Sequence, residues 1–172
     1  ELVDWVQDVN NGLKQEKTIG EISFSLQYKP YSYIISMEER SDSISASIVG
    51  SKTKELEGME YYDFKIKLNN GSGEVLKYNL SSVEEYAKRV EYFSFQMNKD
   101  LWLVEGSDSI PCSLFHFERG YDAAPYSTFL LGFAHNKKPK TDNEISFVFQ
   151  DRIFQKGIIK FSLNRSKLEN IP

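Results

Sequence analysis

The sequence predicts one mainly β domain, a β-sandwich with a jelly-roll-like path as a variant. It would carry one longer helical excursion and one short helix, and an α+β arrangement is the alternative. Three observations support this. Twelve Phe and ten Tyr in 172 residues favour pleated, half-buried surfaces. Apolar and polar residues alternate cleanly at 22–28 and 62–68, the period of a strand with one wet face. Beyond residue 91, short apolar stretches recur at near-regular spacing between polar turns, the pattern of a sandwich or barrel and not of βαβ units. No repeat, low-complexity tract or linker divides the chain, so residues 1–172 read as a single domain.

Residues 1–20 read as a lead-in segment, anchored by Leu2, Val3, Trp5 and Val6 and turned at Asn11-Gly12. Ile22, Phe24, Leu26 and Tyr28 then alternate with Glu21, Ser23, Ser25 and Gln27, and Pro30 ends that strand. Across 31–57, Ile34, Met37, Ile44 and Ile48 recur at helical spacing, with Leu56 further on. This predicts a helix, and a break in the Ser-rich stretch 41–47 or at Gly50 is left open. Strand pattern returns at Tyr62, Phe64, Ile66 and Leu68. Asn69-Asn70-Gly71-Ser72-Gly73 is a hairpin signal leading into a strand over Val75–Leu80. Ser81 and Ser82, followed three residues later by Glu84 and Glu85, offer capping boxes for a helix over 82–90. Its apolar stripe would be Val83, Tyr86, Ala87 and Val90. Strands are expected at 92–98, 101–105, 110–119, 126–135, 144–150 and 157–163, with turns at 98–100, 106–108, 120–125 and 137–143.

Charge and composition exclude several functions. The formal net charge is −4, with 21 basic and 25 acidic residues interspersed, whereas a nucleic-acid binder shows a basic face. The densest basic run, Asn136 to Lys140, reads as a solvated loop. No run approaches the ~18 apolar residues of a membrane span. The chain begins at Glu1 without Met, so it reads as a processed or trimmed product with any targeting peptide out of view. The single Cys112 allows no internal disulfide and reads as a buried structural thiol.

Cys112, His116 and Glu118 invite a metal or nucleophile reading, since positions of one parity on a strand share a face. Cys112 and His116, however, would stand ~13 Å apart in extended chain, too far to share one zinc without a bend. His116 and Glu118, at ~6.6 Å, would need a third ligand from another strand. A hydrogen-bonded polar patch is therefore preferred. His135 reads as an exposed strand-end residue, and no Gly-x-Ser-x-Gly elbow is present. Asp108, Glu118, Asp122 and Asp142 have no spacing that singles out a carboxylate pair. Gly71-Ser72-Gly73 lacks the following helix of a phosphate cradle, and no calcium-loop pattern occurs. Tyr31, Tyr33, Tyr61, Tyr121 and Tyr126 sit beside turns or on wetter faces, where a ring can stack on a sugar or meet a protein. Asn70, Asn79 and Asn164 open Asn-x-Ser sequons, which in a bacterial protein are chance occurrences. No catalytic, cofactor or metal residue is assigned. His116, Glu118, Tyr121 and Tyr126 are the binding candidates.

Leu101 to Gly106 and Ile110-Pro111-Cys112-Ser113-Leu114-Phe115-His116-Phe117-Glu118-Arg119 resemble a block of uncharacterised Bacteroidetes-type cell-envelope lipoproteins. The resemblance extends through Phe129 to Phe133, Ile153 to Gly157, Asn170-Ile171-Pro172, Asn11-Gly12-Leu13 and Tyr28-Lys29-Pro30, with Pro111 to Arg119 its distinctive stretch. It implies an exported, lipid-anchored protein of the envelope or outer surface, tethered through a cysteine that would precede Glu1. It implies no activity and no site, and Cys112 becomes a core-facing thiol within a recurring motif. The expected function is a non-enzymatic surface or periplasmic lipoprotein without cofactor, binding an envelope protein or glycan and no nucleic acid. A carbohydrate-binding sandwich is the alternative. A hydrolase or metal enzyme using His116 and Glu118 is the third reading.

Overall fold

In the computed structural model, which describes residues 2–39, 44–70, 73–136 and 143–172, alternation builds eight strands. They are β1 (Lys14–Ile19), β2 (Ile22–Lys29), β3 (Met59–Leu68), β4 (Leu101–Glu105), β5 (Asp108–Glu118), β6 (Tyr126–Ala134), β7 (Glu144–Gln150) and β8 (Ile158–Asn164). All lie in one sheet of order β1-β2-β3-β6-β5-β4-β7-β8, antiparallel at every pairing. The fold is thus β-rich as expected, but it is a single nearly closed, barrel-like sheet and not the two separate sheets of a sandwich.

The device that joins the halves is in β5. Its first residues pair with β4, from Glu105↔Asp108 to Trp102↔Pro111. Its later residues pair with β6, from Cys112↔Phe133 to Glu118↔Thr128. The register shifts between Cys112 and Leu114, so Ser113 is an extra residue, and such a bulge bends and twists a strand. Gly132 faces the shift, where an added Cβ would come within 2.9 Å of the Leu114 Cβ and 2.8 Å of the Met59 methyl.

The two outermost strands also meet. Gln15 Nε2 donates to the Ser162 carbonyl at 2.7 Å and Lys17 Nζ to the Lys160 carbonyl at 2.6 Å. Side chains, not backbone amides, bridge the β1–β8 seam. This explains why the sequence hides β1 inside the lead-in segment. Its inward positions touch carbonyl oxygens at an open seam, so they are polar and show no apolar alternation.

Inside, Phe24 of β2, Phe64 of β3, Phe129 and Phe133 of β6, and Phe147 and Phe149 of β7 are fully buried. Phe64 is central, with ring centroids 5.1 Å from Phe147, 5.3 Å from Phe149 and 6.2 Å from both Phe24 and Phe129. Such stacked, tilted and edge-on pairs add to what area burial alone contributes.

Helices close the ends and sides. The excursion at 31–57 is two helices, α2 (Tyr31–Glu39) and α3 (Ala46–Leu56), following α1 (Leu2–Gln7). Ser45 caps α3, its Oγ accepting from the Ile48 amide at 3.4 Å, and Gly50 lies inside α3 without breaking it. Helix α3 buries no residue. Lys52 ties it to Glu38 and Glu39 of α2 at 2.6 and 3.0 Å. Helix α4 (Val83–Glu91) forms as the capping residues predict, with Ser82 Oγ accepting from the Glu85 amide at 3.1 Å. Its stripe differs from the expected one: Val83 and Ala87 are exposed, while Tyr86, Arg89 and Val90 turn inward.

Two expected strands are helical. Val75–Lys77 is a 3-10 turn, and 92–98 is a π-helical turn, Tyr92–Gln96, running into a 3-10 turn, Met97–Asp100. Phe93, Phe95 and Met97 mimic strand alternation. In fact Phe93 and Met97 are buried, four residues apart, with Phe95 76% exposed between them. The short α5 (Arg165–Glu169) follows β8. Part of the 41–47 break, Gly71 and Ser72 of the hairpin signal, and Lys137 to Asp142 with most of the basic run lie outside the described residues.

Candidate functional site

The β5–β6 hairpin carries all four binding candidates: His116 and Glu118 on β5, Tyr121 in the turn and Tyr126 at the start of β6. The bulge at Ser113 overturns the expectation that Cys112 shares a face with the other two. One extra residue reverses the alternation, so Cys112 points into the core while His116 and Glu118 are exposed on the outer face. Among the described residues no three His, Cys, Asp or Glu side chains are arranged to hold a metal.

Burial pushes the Cys112 thiol up to about 12, and its Sγ donates to the Leu114 carbonyl at 3.1 Å. Since the thiolate is the reactive form, at pH 8 a thiol reagent should modify the folded chain more slowly than the urea-unfolded chain by on the order of a hundredfold or more. Equal rates in a stopped-flow labelling experiment would show that the thiol is not shielded.

In the turn, Tyr121 and Asp122 have φ of 47° and 65°, left-handed values unusual for such residues. Tertiary bonds hold them there. Asp122 Oδ1 accepts from the Glu74 amide at 2.9 Å, and Lys77 pairs with the same carboxylate. Tyr121 lies over the Arg119 guanidinium, 4.3 Å from its ring centroid. Arg119 in turn donates to the Tyr86 hydroxyl at 2.6 Å, and Tyr86 donates to the buried Glu74 at 3.1 Å. Tyr121 is thus part of a brace for the turn even though its ring is 70% exposed.

Of the five tyrosines singled out, only Tyr121 and Tyr126 are exposed; Tyr33 is buried and Tyr31 and Tyr61 are half-buried. Tyr31 donates to the Met59 carbonyl at 2.8 Å and Tyr61 to the Leu56 carbonyl at 3.3 Å. Those two fasten the helical excursion to β3.

Register places the outer face of the larger half of the sheet in rows. Lys14, Gln27, Asp63, Leu130 and His116 form one, and Glu16, Ser25, Lys65, Thr128 and Glu118 the next. Thr18, Ser23, Lys67 and Tyr126 form a third. Over these rows runs a groove of about 300 Å³, bounded by Gln7 of α1 and Tyr33 of α2. Four residues of β3 separate Asp63 from Lys67, giving a length of roughly 13 Å. Lys65 Nζ sits 4.5 Å from the Tyr126 ring centroid, and Asp63 pairs with Lys29 at 3.1 Å. The sequence reading found Tyr126 but not its lysine neighbours. They appeared only as the wet half of an alternation, and nothing in one strand shows what lies beside it.

A second feature escaped the sequence for the same reason. At the end of the barrel that holds α5, Glu60 of β3, Glu105 of β4 and Arg165 come together, each about 95% buried. Arg165 Nη1 donates to Glu60, while its Nε and Nη2 donate to Glu105 Oε1 at 3.1 and 2.9 Å. Tyr62 donates to Glu60 Oε2 at 3.0 Å. Burial works against the charge on Arg165, but Glu60 and Glu105 outweigh it and hold the guanidinium above its ordinary range. Burial, with the charge of Glu60, pushes the Tyr62 phenol well up. This cluster closes a barrel end and its side chains bond chiefly to one another, so it is read as structural.

No protein-family model matches the chain, and no curated protein sequence matches it. Among solved structures, it is similar to a DUF4426 family protein from Pseudomonas aeruginosa PAO1, at 9% identity and a TM-score of 0.42, over 89% of this chain and 93% of that one. It is also similar to a protein of unknown function from Burkholderia pseudomallei K96243, at 10% identity and a TM-score of 0.42, over 91% of this chain and 81% of that one. Neither likeness is strong enough to transfer a function.

Proposed function

We propose that this chain is a non-catalytic binding module of an exported cell-envelope protein, and that it holds its ligand in the outer-face groove. The observation that carries the binding reading is that groove: at about 300 Å³ it reaches the lower bound of small-ligand sites. It is walled by two helices and floored by side chains from four strands. The envelope placement rests on the resemblance carried by Pro111 to Arg119. The module reading is further favoured by the candidate acid–base pair, since His116 and Glu118 lie exposed on an open sheet face with nothing to exclude water from them.

The test is a thermal-shift screen against fractionated envelope glycans and membrane extract, on the wild type and on Lys65→Glu. A ligand at 100 times its dissociation constant adds ~2.7 kcal/mol, which for a domain of this size raises Tm by roughly 5–10 °C. The shift is expected with the wild type and absent with Lys65→Glu, whose unliganded Tm should stay within about 2 °C because half-buried Lys65 makes no ion pair among the described residues and such surface charges contribute little to stability. A shift that survives the substitution would place the ligand elsewhere. A flat response to every fraction would reject the module.

A further inference from the structure

Building on that reading, we propose that the groove binds a segment of acidic glycan, a saccharide chain bearing carboxylate, sulfate or phosphate groups. Three properties converge on this class. The first is charge. On a chain of net charge −4, Lys14, Lys65 and Lys67 line the groove against only Glu16 and Asp63, and Asp63 is already paired with Lys29. Among the described residues Lys14 and Lys67 form no ion pair, and Lys65 touches the face of Tyr126 instead of a carboxylate. Ammonium groups left in this way recruit oxyanions.

The second is an unused donor. Tyr33 is 7% exposed, and its oxygen accepts the Gln7 amide at 3.0 Å. Its own hydroxyl hydrogen has no acceptor among the described residues. A buried hydroxyl ordinarily finds partners for its hydrogen-bonding capacity, so this one is poised for an acceptor brought by the ligand. Lysine ammonium and phenol groups together ask for a molecule rich in acceptor oxygens.

The third is shape. The groove extends roughly 13 Å along the strands and crosses β1, β2, β3 and β6, which fits a few units of a polymer better than a lone ion. The middle of its floor is β2 and β3, both paired on each side, so an extended peptide lying over them meets no free backbone edge and lacks the usual source of affinity for strand-like peptides. A saccharide needs none, because its hydroxyls and acidic groups can meet Ser25, Gln27, Tyr33 and the lysines directly.

The experiment is a calorimetric titration with four probes: an oligogalacturonate, the neutral oligogalactose of the same length, poly-glutamate and inorganic phosphate. The acidic saccharide should bind, and its affinity should fall as salt rises. The others should bind at least tenfold more weakly. Lys65→Ala and Lys67→Ala should each weaken binding by about tenfold, the size of one charge-assisted hydrogen bond. Tyr33→Phe, which removes only the hydroxyl, should weaken it without changing the salt dependence. Equal binding of the neutral oligomer would overturn the acidic assignment, and equal binding of poly-glutamate would replace glycan by protein. Phosphate binding alone would reduce the site to a simple anion site. If no probe binds while an envelope fraction still stabilises the wild type but not Lys65→Glu, the module stands and the acidic-glycan assignment falls. If both experiments are flat, both readings fall.

Discussion

Arg165→Leu should destabilise the folded chain by about 3–5 kcal/mol at pH 7, because it strands two carboxylates in a barrel end from which water is excluded. Glu60 and Glu105 are each about 95% buried, and Glu105 Oε2 already lacks a hydrogen-bond partner among the described residues. Without the guanidinium, two like charges face each other at low dielectric.

The loss should depend on pH in a definite direction. In the variant, the folded state gains by taking up a proton on the carboxylate pair more readily than the unfolded chain does. Its deficit relative to wild type is therefore largest at neutral pH and narrows towards pH 4. Urea denaturation at pH 7 and pH 4 reads both effects. A deficit that does not change with pH would mean that lost packing of the arginine stem, not charge, is responsible. Replacing Glu60, Glu105 and Arg165 together by Leu, with Tyr62→Phe to remove the phenol that donates to Glu60, should return stability to near the wild-type value, because apolar residues can substitute for a complete buried ion network but not for half of one.

Phe64→Ala should be comparably severe, about 3–5 kcal/mol, since it removes a ring and leaves a cavity the surrounding sheet can only partly close. Phe64 is in contact with both halves of the folded-over sheet, meeting Phe24 and Phe129 on one side and Phe147 and Phe149 on the other. Its loss should lower Tm by roughly 10 °C in a domain of this size. The urea midpoint should fall with little change in slope, because the surface exposed on unfolding is nearly the same. A cost below about 1.5 kcal/mol would mean that neighbouring rings collapse into the space and that the core does not depend on this residue.

These two side chains also show how far a sequence can be read. Phe64 was legible: it stands in the alternation Tyr62, Phe64, Ile66, Leu68, and local periodicity is enough to place it inward. Arg165 was not. Its inward direction follows from Phe161, Leu163, Arg165, as that of Glu105 follows from Leu101, Leu103, Glu105 and that of Glu60 from Glu60, Tyr62, Phe64. Each charge continues an apolar row by one step, but a charge at a strand end reads as the first residue of a turn. Only strand order shows that the three ends are neighbours and that one arginine serves both carboxylates.

The strand-like alternation at Phe93, Phe95 and Met97 failed for the opposite reason. Period two and the four-residue spacing of a helical turn coincide at positions 93 and 97, so the pattern could not separate them. The bulge at Ser113 had no signature either, and with it went the side on which His116 and Glu118 would emerge.

The sequence by itself determined the β-rich class, most strand positions, the cap of α4 and the apolar residues that fill the barrel. These depend on side-chain periodicity and on hydrogen bonds a few residues long. Tertiary structure alone decided that the strands form one sheet bent at a bulge, that β1 exists with its polar seam, and that Lys14, Lys65, Lys67, Tyr33 and Tyr126 share a groove. Those outcomes depend on which strands become neighbours. Neighbours distant in the chain are selected by the packing of the whole core, and no local pattern contains that information.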